Sequence, residues 1–480
     1  MLALVLVPAL TVACAAAGAW FRLVRDAYFI AMVSLAVVAE RMEVNFFSSG
    51  WYRGSTRGIQ VTLIEILAFG LLFGCVACRS GAARRPFWPA SLGLMLLYLV
   101  YAGCSVLVSE PKLYGAFELS RIAASMLIFV ATAYHVRSRR EWTQLVVALA
   151  CTVGFEGIWA ARQHFLNGLD RAAGTLDHAN SLSMYFCLTV PVLAAVAVAG
   201  WTRGLRVLCG ICAVLGAIGL LLTFSRAGIP VFAAASGAAL LATVSWRMTP
   251  ARVIVRALFV AGAAALVVAG WGGMQRRYAE ASFEQEYFDT NVDGRGVYLR
   301  LSQMIVKDHF FGVGLNNWSY WVSRTYGARL GYRFDDYSNL ISVYGTKDDK
   351  VFADSYLAAP AHNLAALTLG ELGVPGLLIF ALLWLRWISI GVPFLFLPRS
   401  DPMRAMGIGL LFCICGIFGQ SLTEWVYRQT PILFTFYILL GALASMAHLR
   451  RQEQARRAPG PATAPEPHTL GGHSVAPEGA

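Results

Sequence analysis

Charge is what this sequence has little of. Only 14% of the 480 residues are Asp, Glu, Lys or Arg, against roughly 25% in soluble globular chains. Lysine is nearly absent, so arginine carries almost all of the +12 net charge. Those arginines punctuate apolar runs and form no continuous stripe, which argues against a nucleic-acid-binding face and for loops that set membrane topology.

Three other absences narrow the reading. The pairs Cys75-x-x-Cys78 and Cys209-x-x-Cys212 have no histidine pair near them, so half a zinc motif is all they offer, and the ten cysteines read as small buried hydrophobes without a structural disulfide. None falls in the polar segment 272–361. No internal repeat is visible, which disfavours a transporter built from inverted halves. The first apolar stretch lacks the charged start and small-residue cleavage site of a clear signal peptide; signal and span both remain open for it.

What the chain has in abundance is hydrophobic residues, 58%, with a mean hydropathy of +0.59. Apolar runs approach the ~20 residues a helix needs to cross a bilayer. They fall at about 1–20, 26–39, 59–78, 87–109, 118–135, 142–160, 180–200, 207–224, 227–245, 255–271, 374–397, 405–424 and 431–447. The expected fold is an all-α polytopic membrane protein with about 12–13 transmembrane helices and a large, mainly helical loop domain. Residues 1–271 form an N-terminal bundle of about ten spans, 272–361 the loop domain, 362–449 an entry helix with three spans, and 450–480 a disordered tail rich in Ala, Pro, Gly and Glu.

Short-loop arginines orient the chain. Arg22 and Arg25; Arg79, Arg84 and Arg85; Arg137, Arg139 and Arg140; Arg203 and Arg206; Arg247, Arg252 and Arg256; and Arg399 and Arg404 occupy every second connection, with Arg450, Arg451, Arg456 and Arg457 after the last span. By the positive-inside rule these loops face the cytoplasm. Segments 40–58, 110–117, 161–179, 272–361 and 425–430 then face outward, and 272–361 is too long to be a simple connection.

Ionisable groups at membrane depth are costly and usually functional. Four stretches hold them. In LLLTFSRAGIPVF (220–232), Arg226 sits between two spans with almost no loop. It reads either as a snorkelling turn residue or as an anion clamp, for which arginine suits phosphate better than lysine. In GLDRAAGTLDHANSLSMYF (168–186), Asp177 or Asn180 can cap the helix or meet a ligand, and Arg171 and His178 can face a headgroup or a substrate. In GRGVYLRLSQMIVKDH (294–309), Arg295 and Arg300 lie near a helix start and default to solvated charge. In PAHNLAALTLGELGVPG (360–376), His362 opens an apolar helix beside Asn363. On a straight helix Glu371 points about 180° away from His362, unless Gly370, Gly373 and Pro375 break the run.

Taken in order, AGTLDHANSLSMYF (173–186), TFSRAG (223–228), YLRLSQMIVKDHFFGVGLNNW (298–318) and AHNLAALTLGELGVPG (361–376) resemble the O-antigen ligase and polymerase superfamily of bacterial envelopes, over roughly residues 140–445. The chain departs from the family's pattern at His178-Ala179, where a proline often precedes the asparagine. The resemblance implies a glycosyltransferase of the bacterial inner membrane with its site on the periplasmic face. It would move a glycan from undecaprenyl pyrophosphate to an acceptor hydroxyl with inversion, using no cofactor and no metal. In a ligase the acceptor is the lipid A core; in a polymerase it is a second lipid-linked glycan. Carried onto this chain, it implies that Arg226 and Arg300 bind the pyrophosphate and that His362 acts at the acceptor hydroxyl. Asn180, His178, Arg171, Asn363 and Glu371 are further candidate contacts, with Glu371 the one better suited to pairing with an arginine. The ligase reading is preferred, an exopolysaccharide or O-antigen polymerase is the alternative, and a small-anion transporter is the rival from another class.

Overall fold

A computed structural model describes residues 2–48, 52–78, 87–198, 200–244, 296–331 and 358–457, with residues 272 and 275 in isolation. Among the described residues it is 78% helical, with one two-stranded hairpin as sheet. Along the chain run α1 (Leu2–Trp20), α2 (Arg22–Leu35), β1 (Glu43–Ser48), β2 (Gly58–Thr62), α3 (Leu63–Ala77), α4 (Leu92–Val108), α5 (Lys112–His135), α6 (Arg139–Phe165), α7 (Ala179–Ala197), α8 (Arg203–Leu221), α9 (Gly228–Thr243), α10 (Gly296–Asp308), α11 (Leu364–Gly391), α12 (Pro402–Ser421) and α13 (Thr430–Arg457).

Seven of these helices are long and apolar enough to cross a membrane: α5 to α8 and α11 to α13. Four shorter apolar helices accompany them, α3, α4, α9 and the Leu4–Trp20 part of α1. The run expected at 26–39 behaves differently. It carries Arg25 and Asp26 and passes from α2 into a 3-10 turn at Ala36, and fourteen helical residues rise only about 21 Å against a hydrocarbon core of about 30 Å. The run expected at 255–271, like Arg295 and the loop arginines at 79–85 and 247–256, lies outside the described residues.

Lipid-facing and packed faces separate cleanly on α11. Leu378, Leu382 and Leu385 are exposed, whereas Leu383, Trp384, Trp387 and Ile390 are buried; the two sets follow the 3.6-residue repeat of a one-sided helix. By contrast α7 is buried along nearly its whole length, held by α8, α9 and α12. Anything it carries at its ends is therefore placed by many neighbours at once. Three of the ten cysteines, Cys78, Cys104 and Cys151, are exposed, five are buried, and all are free.

The hairpin was not anticipated. Its strands pair antiparallel from Glu43↔Thr62 to Ser48↔Gly58, so the segment expected as outer loop 40–58 is partly sheet. Thr62 then starts α3 through a reciprocal cap with Glu65.

One end of the bundle holds arginines of the short loops expected to face the cytoplasm: Arg140 pairs with Asp26, Arg22 pairs with Glu141, and Arg404 donates to the carbonyl of Ala242. The other end collects the hairpin, the segment 296–331 and the starts of α5, α7, α9, α11 and α13. Segment 296–331 packs onto α11 through Leu301, Ile305, Trp318, Ala366 and Leu367. Near Gly373, α11 breaks its helical geometry with φ of +67°. A side chain there would meet the Phe310 carbonyl at 2.2 Å, so the close backbone crossing requires glycine.

Candidate functional site

Several of the polar residues expected at the membrane lip converge at the end that holds the hairpin. The loop before α7 is laced to α6. Gln163 accepts from the amides of Ala173 and Gly174, and Glu156 accepts from the Thr175 amide at 2.9 Å. Gly174 has φ of +66° and faces the Glu156 carboxylate so closely that a Cβ would lie 2.2 Å from it; the tight turn excludes any larger residue. This loop aims Arg171. Its Nε donates to the Thr223 carbonyl at 2.9 Å and its Nη2 to Asn180 Oδ1 at 2.7 Å.

From Asn180 the contacts run inward. Asn180 Nδ2 donates to Glu424 Oε1 at 2.8 Å, and the other carboxylate oxygen of Glu424 lies 2.8 Å from His362 Nδ1. The Glu424 side chain is 5% exposed and that of His362 34%. The chain Arg171–Asn180–Glu424–His362 thus joins the loop before α7, the start of α7, the turn after α12 and the head of α11; Glu424 is buried and the other three are partly exposed. The ring of Tyr298 on α10 lies 6.0 Å from the His362 ring.

Arg226 belongs to the same neighbourhood through its loop. Thr223, which receives Arg171, opens the turn TFSRAG, where Phe224 takes φ of +48° and Ser225 accepts from the amide of Gly228. Arg226 itself is buried, which sets aside a snorkelling role. Gly228 allows the turn to touch α7: a Cβ there would stand 1.8 Å from Ser183 Oγ. Pro230 falls in the first turn of α9, where its missing N–H costs nothing.

The remaining expected residues are placed differently. Neither Asp177 nor Asn180 caps α7; the cap position is His178, whose side chain makes no capping bond and is exposed. Asn363 is fully used as structure: its Oδ1 accepts from the Ala366 amide and its Nδ2 donates to the Leu422 carbonyl, each at 2.9 Å. Arg300 is exposed on the flank of α10 away from the packed face of Val297, Leu301, Ser302 and Ile305, and the structure does not join it to the His362 cluster.

Glu371 pairs with an arginine, the use for which it is better suited. Its carboxylate meets Arg428 Nη1 at 2.9 Å, and Arg428 Nε lies 3.5 Å from Glu118, all three side chains 1% exposed. Trp318 is buried against Gly370, and Tyr320 packs with Tyr52, Tyr114 and Phe117.

Two residues went unnoticed in the sequence, Glu424 and Arg428. Both lie in QSLTEWVYRQT (420–430), the turn between α12 and α13. An acid and an arginine in so short a turn between apolar helices is the same signal that singled out Arg226. Nearly every member of the turn is tied: Leu422 to Asn363, Glu424 to His362 and Asn180, Arg428 to Glu371, Gln429 to Ser181 and Thr430 to Arg121.

Fold and site together define a class: an all-α polytopic membrane protein with a histidine–carboxylate pair and a buried arginine loop gathered at one end of its helices. Residues 211–381 match the family described as O-Antigen ligase; this part of the chain is similar to that family, which supports a ligase- or polymerase-like membrane glycosyltransferase. A search of curated proteins finds no match. The matched stretch holds Arg226, Arg300, His362, Asn363 and Glu371; Arg171, His178, Asn180 and Glu424 lie outside it.

Proposed function

We propose that the protein is an O-antigen ligase-like glycosyltransferase of the bacterial inner membrane. It transfers a glycan from undecaprenyl pyrophosphate to a hydroxyl of the lipid A core, at the periplasmic face. The observation that carries this reading is the partly exposed His362, which lies within the stretch matched to the family and pairs with the buried carboxylate of Glu424 at the end of the bundle that holds the hairpin and the Arg226 turn. Positive loops at the opposite end support an outward-facing site.

The chemistry suits the residue types. A glycosyl diphosphate carries its own leaving group, so the protein must stabilise charge growing on the departing oxygens. Arg226, with Arg300 as second partner, is the group for this, because a guanidinium presents paired donors to phosphate. The acceptor hydroxyl is a poor nucleophile until a base takes its proton, and neutral imidazole is matched to that task. Inversion follows when the hydroxyl attacks the anomeric carbon opposite the diphosphate.

The test is a strain whose own copy is deleted and which carries wild type or His362→Ala. Wild type should restore polysaccharide on lipid A. The variant should insert normally but leave full-length glycan on its lipid carrier. Accumulation of single unlinked repeats would assign a polymerase instead, and normal product from the variant would remove His362 from the reaction.

A further inference from the structure

We infer that Glu424 is the positioning residue for His362, and that Asn180 and Arg171 hold Glu424 in place from outside the family-matched stretch. This rests on the reading of His362 as the base. An ionised carboxylate only accepts hydrogen bonds, so at 2.8 Å from Glu424 the Nδ1 of His362 must carry the hydrogen. In the neutral ring that leaves Nε2 as the one basic nitrogen.

The other side of the carboxylate is fixed in the same way. Asn180 offers Glu424 its amide N–H because its carbonyl oxygen is taken by the Arg171 guanidinium. A flipped Asn180 would set oxygen against carboxylate and NH2 against guanidinium, losing both bonds. Arg171 in turn is oriented by the Thr223 carbonyl, three residues before Arg226. One hydrogen-bonded chain therefore sets the base's tautomer and ties it to the loop of the proposed diphosphate clamp.

In the transfer step the acceptor O–H bond breaks and its proton passes to His362 Nε2. The acceptor oxygen bonds to the anomeric carbon while the bond from that carbon to the diphosphate breaks, its electron pair leaving with the diphosphate. His362 becomes an imidazolium, and Glu424, buried and already hydrogen-bonded to it, balances that charge without rearranging. Glu424 touches no reacting atom; it acts through the histidine.

The experiment uses the full chain in nanodiscs with 15N-labelled histidine, and compares wild type, Glu424→Gln, Asn180→Ala and His362→Ala, the last to assign the His362 signals. In wild type the 15N shifts should report a neutral ring protonated at Nδ1. Glu424→Gln should lose that preference and lower kcat by about 10²-fold with little change in KM. Asn180→Ala, which leaves both dyad members in place, should lower kcat roughly tenfold, the size of one hydrogen bond to a charged group. If His362→Ala is inactive but Glu424→Gln keeps wild-type kcat or tautomer, the inference is wrong and the proposed function stands. If His362→Ala is itself active, both fall. Should Glu424→Gln fail to fold, unchanged kcat in Asn180→Ala overturns the inference alone.

Discussion

Glu371 and Arg428 form an ion pair 2.9 Å long with both side chains 1% exposed. It ties the middle of α11 to the turn that carries Glu424. Glu371 is as conspicuous in the sequence as His362, and the fold pairs it with the arginine of that turn.

Breaking that pair from one side should therefore damage the fold before the reaction. Arg428→Ala leaves Glu371 and Glu118 buried without their guanidinium, a loss of about 3–5 kcal/mol for a buried pair broken by removing one partner. Thermal unfolding in detergent should shift sharply downward, and transfer should fall in proportion to folded protein. Unchanged melting would show that the pair contributes nothing.

Arg226→Lys keeps the charge but loses the two-pronged donor. Transfer should drop by about 10²-fold or more, with insertion and melting temperature near wild type. Full activity would reduce Arg226 to a topological residue.

At Gly228 the prediction is steric. Gly228→Ala puts a methyl where Ser183 Oγ stands 1.8 Å away, so α7 and the arginine loop must separate. Lowered activity is expected, with partial recovery in the double variant Gly228→Ala, Ser183→Gly. No recovery would mean that the clash is not at Ser183.

The charge on the departing diphosphate is assigned to guanidinium groups, so chelators should leave transfer in washed membranes unchanged. A strict requirement for added divalent ion would contradict that assignment.

Much of the fold was legible because it is written in composition. Apolar length places the helices, and loop arginines mark one end. His362 and Arg226 stood out because a charge or an imidazole beside an apolar run is expensive to hold there. What the chain does not write locally is pairing. Glu424 lies 62 residues from His362 and 244 from Asn180, and only the packing of α7, α11 and α12 brings the three together. The same holds for Arg428 with Glu118. The hairpin was hidden for a different reason: EVNFFS and GIQVT are short, and the apolar runs around them dominate any window long enough to find a helix.

The break at Gly373 divides α11 into two different materials. The turns before it, with Ala366 and Leu367, share a core with segment 296–331, while the turns after it present Leu378, Leu382 and Leu385 outward. A photoreactive lipid should label the second half and spare the first. His362 at the head of this helix is thus anchored to segment 296–331 and is insulated from changes in bilayer thickness that would tilt the rest of the span.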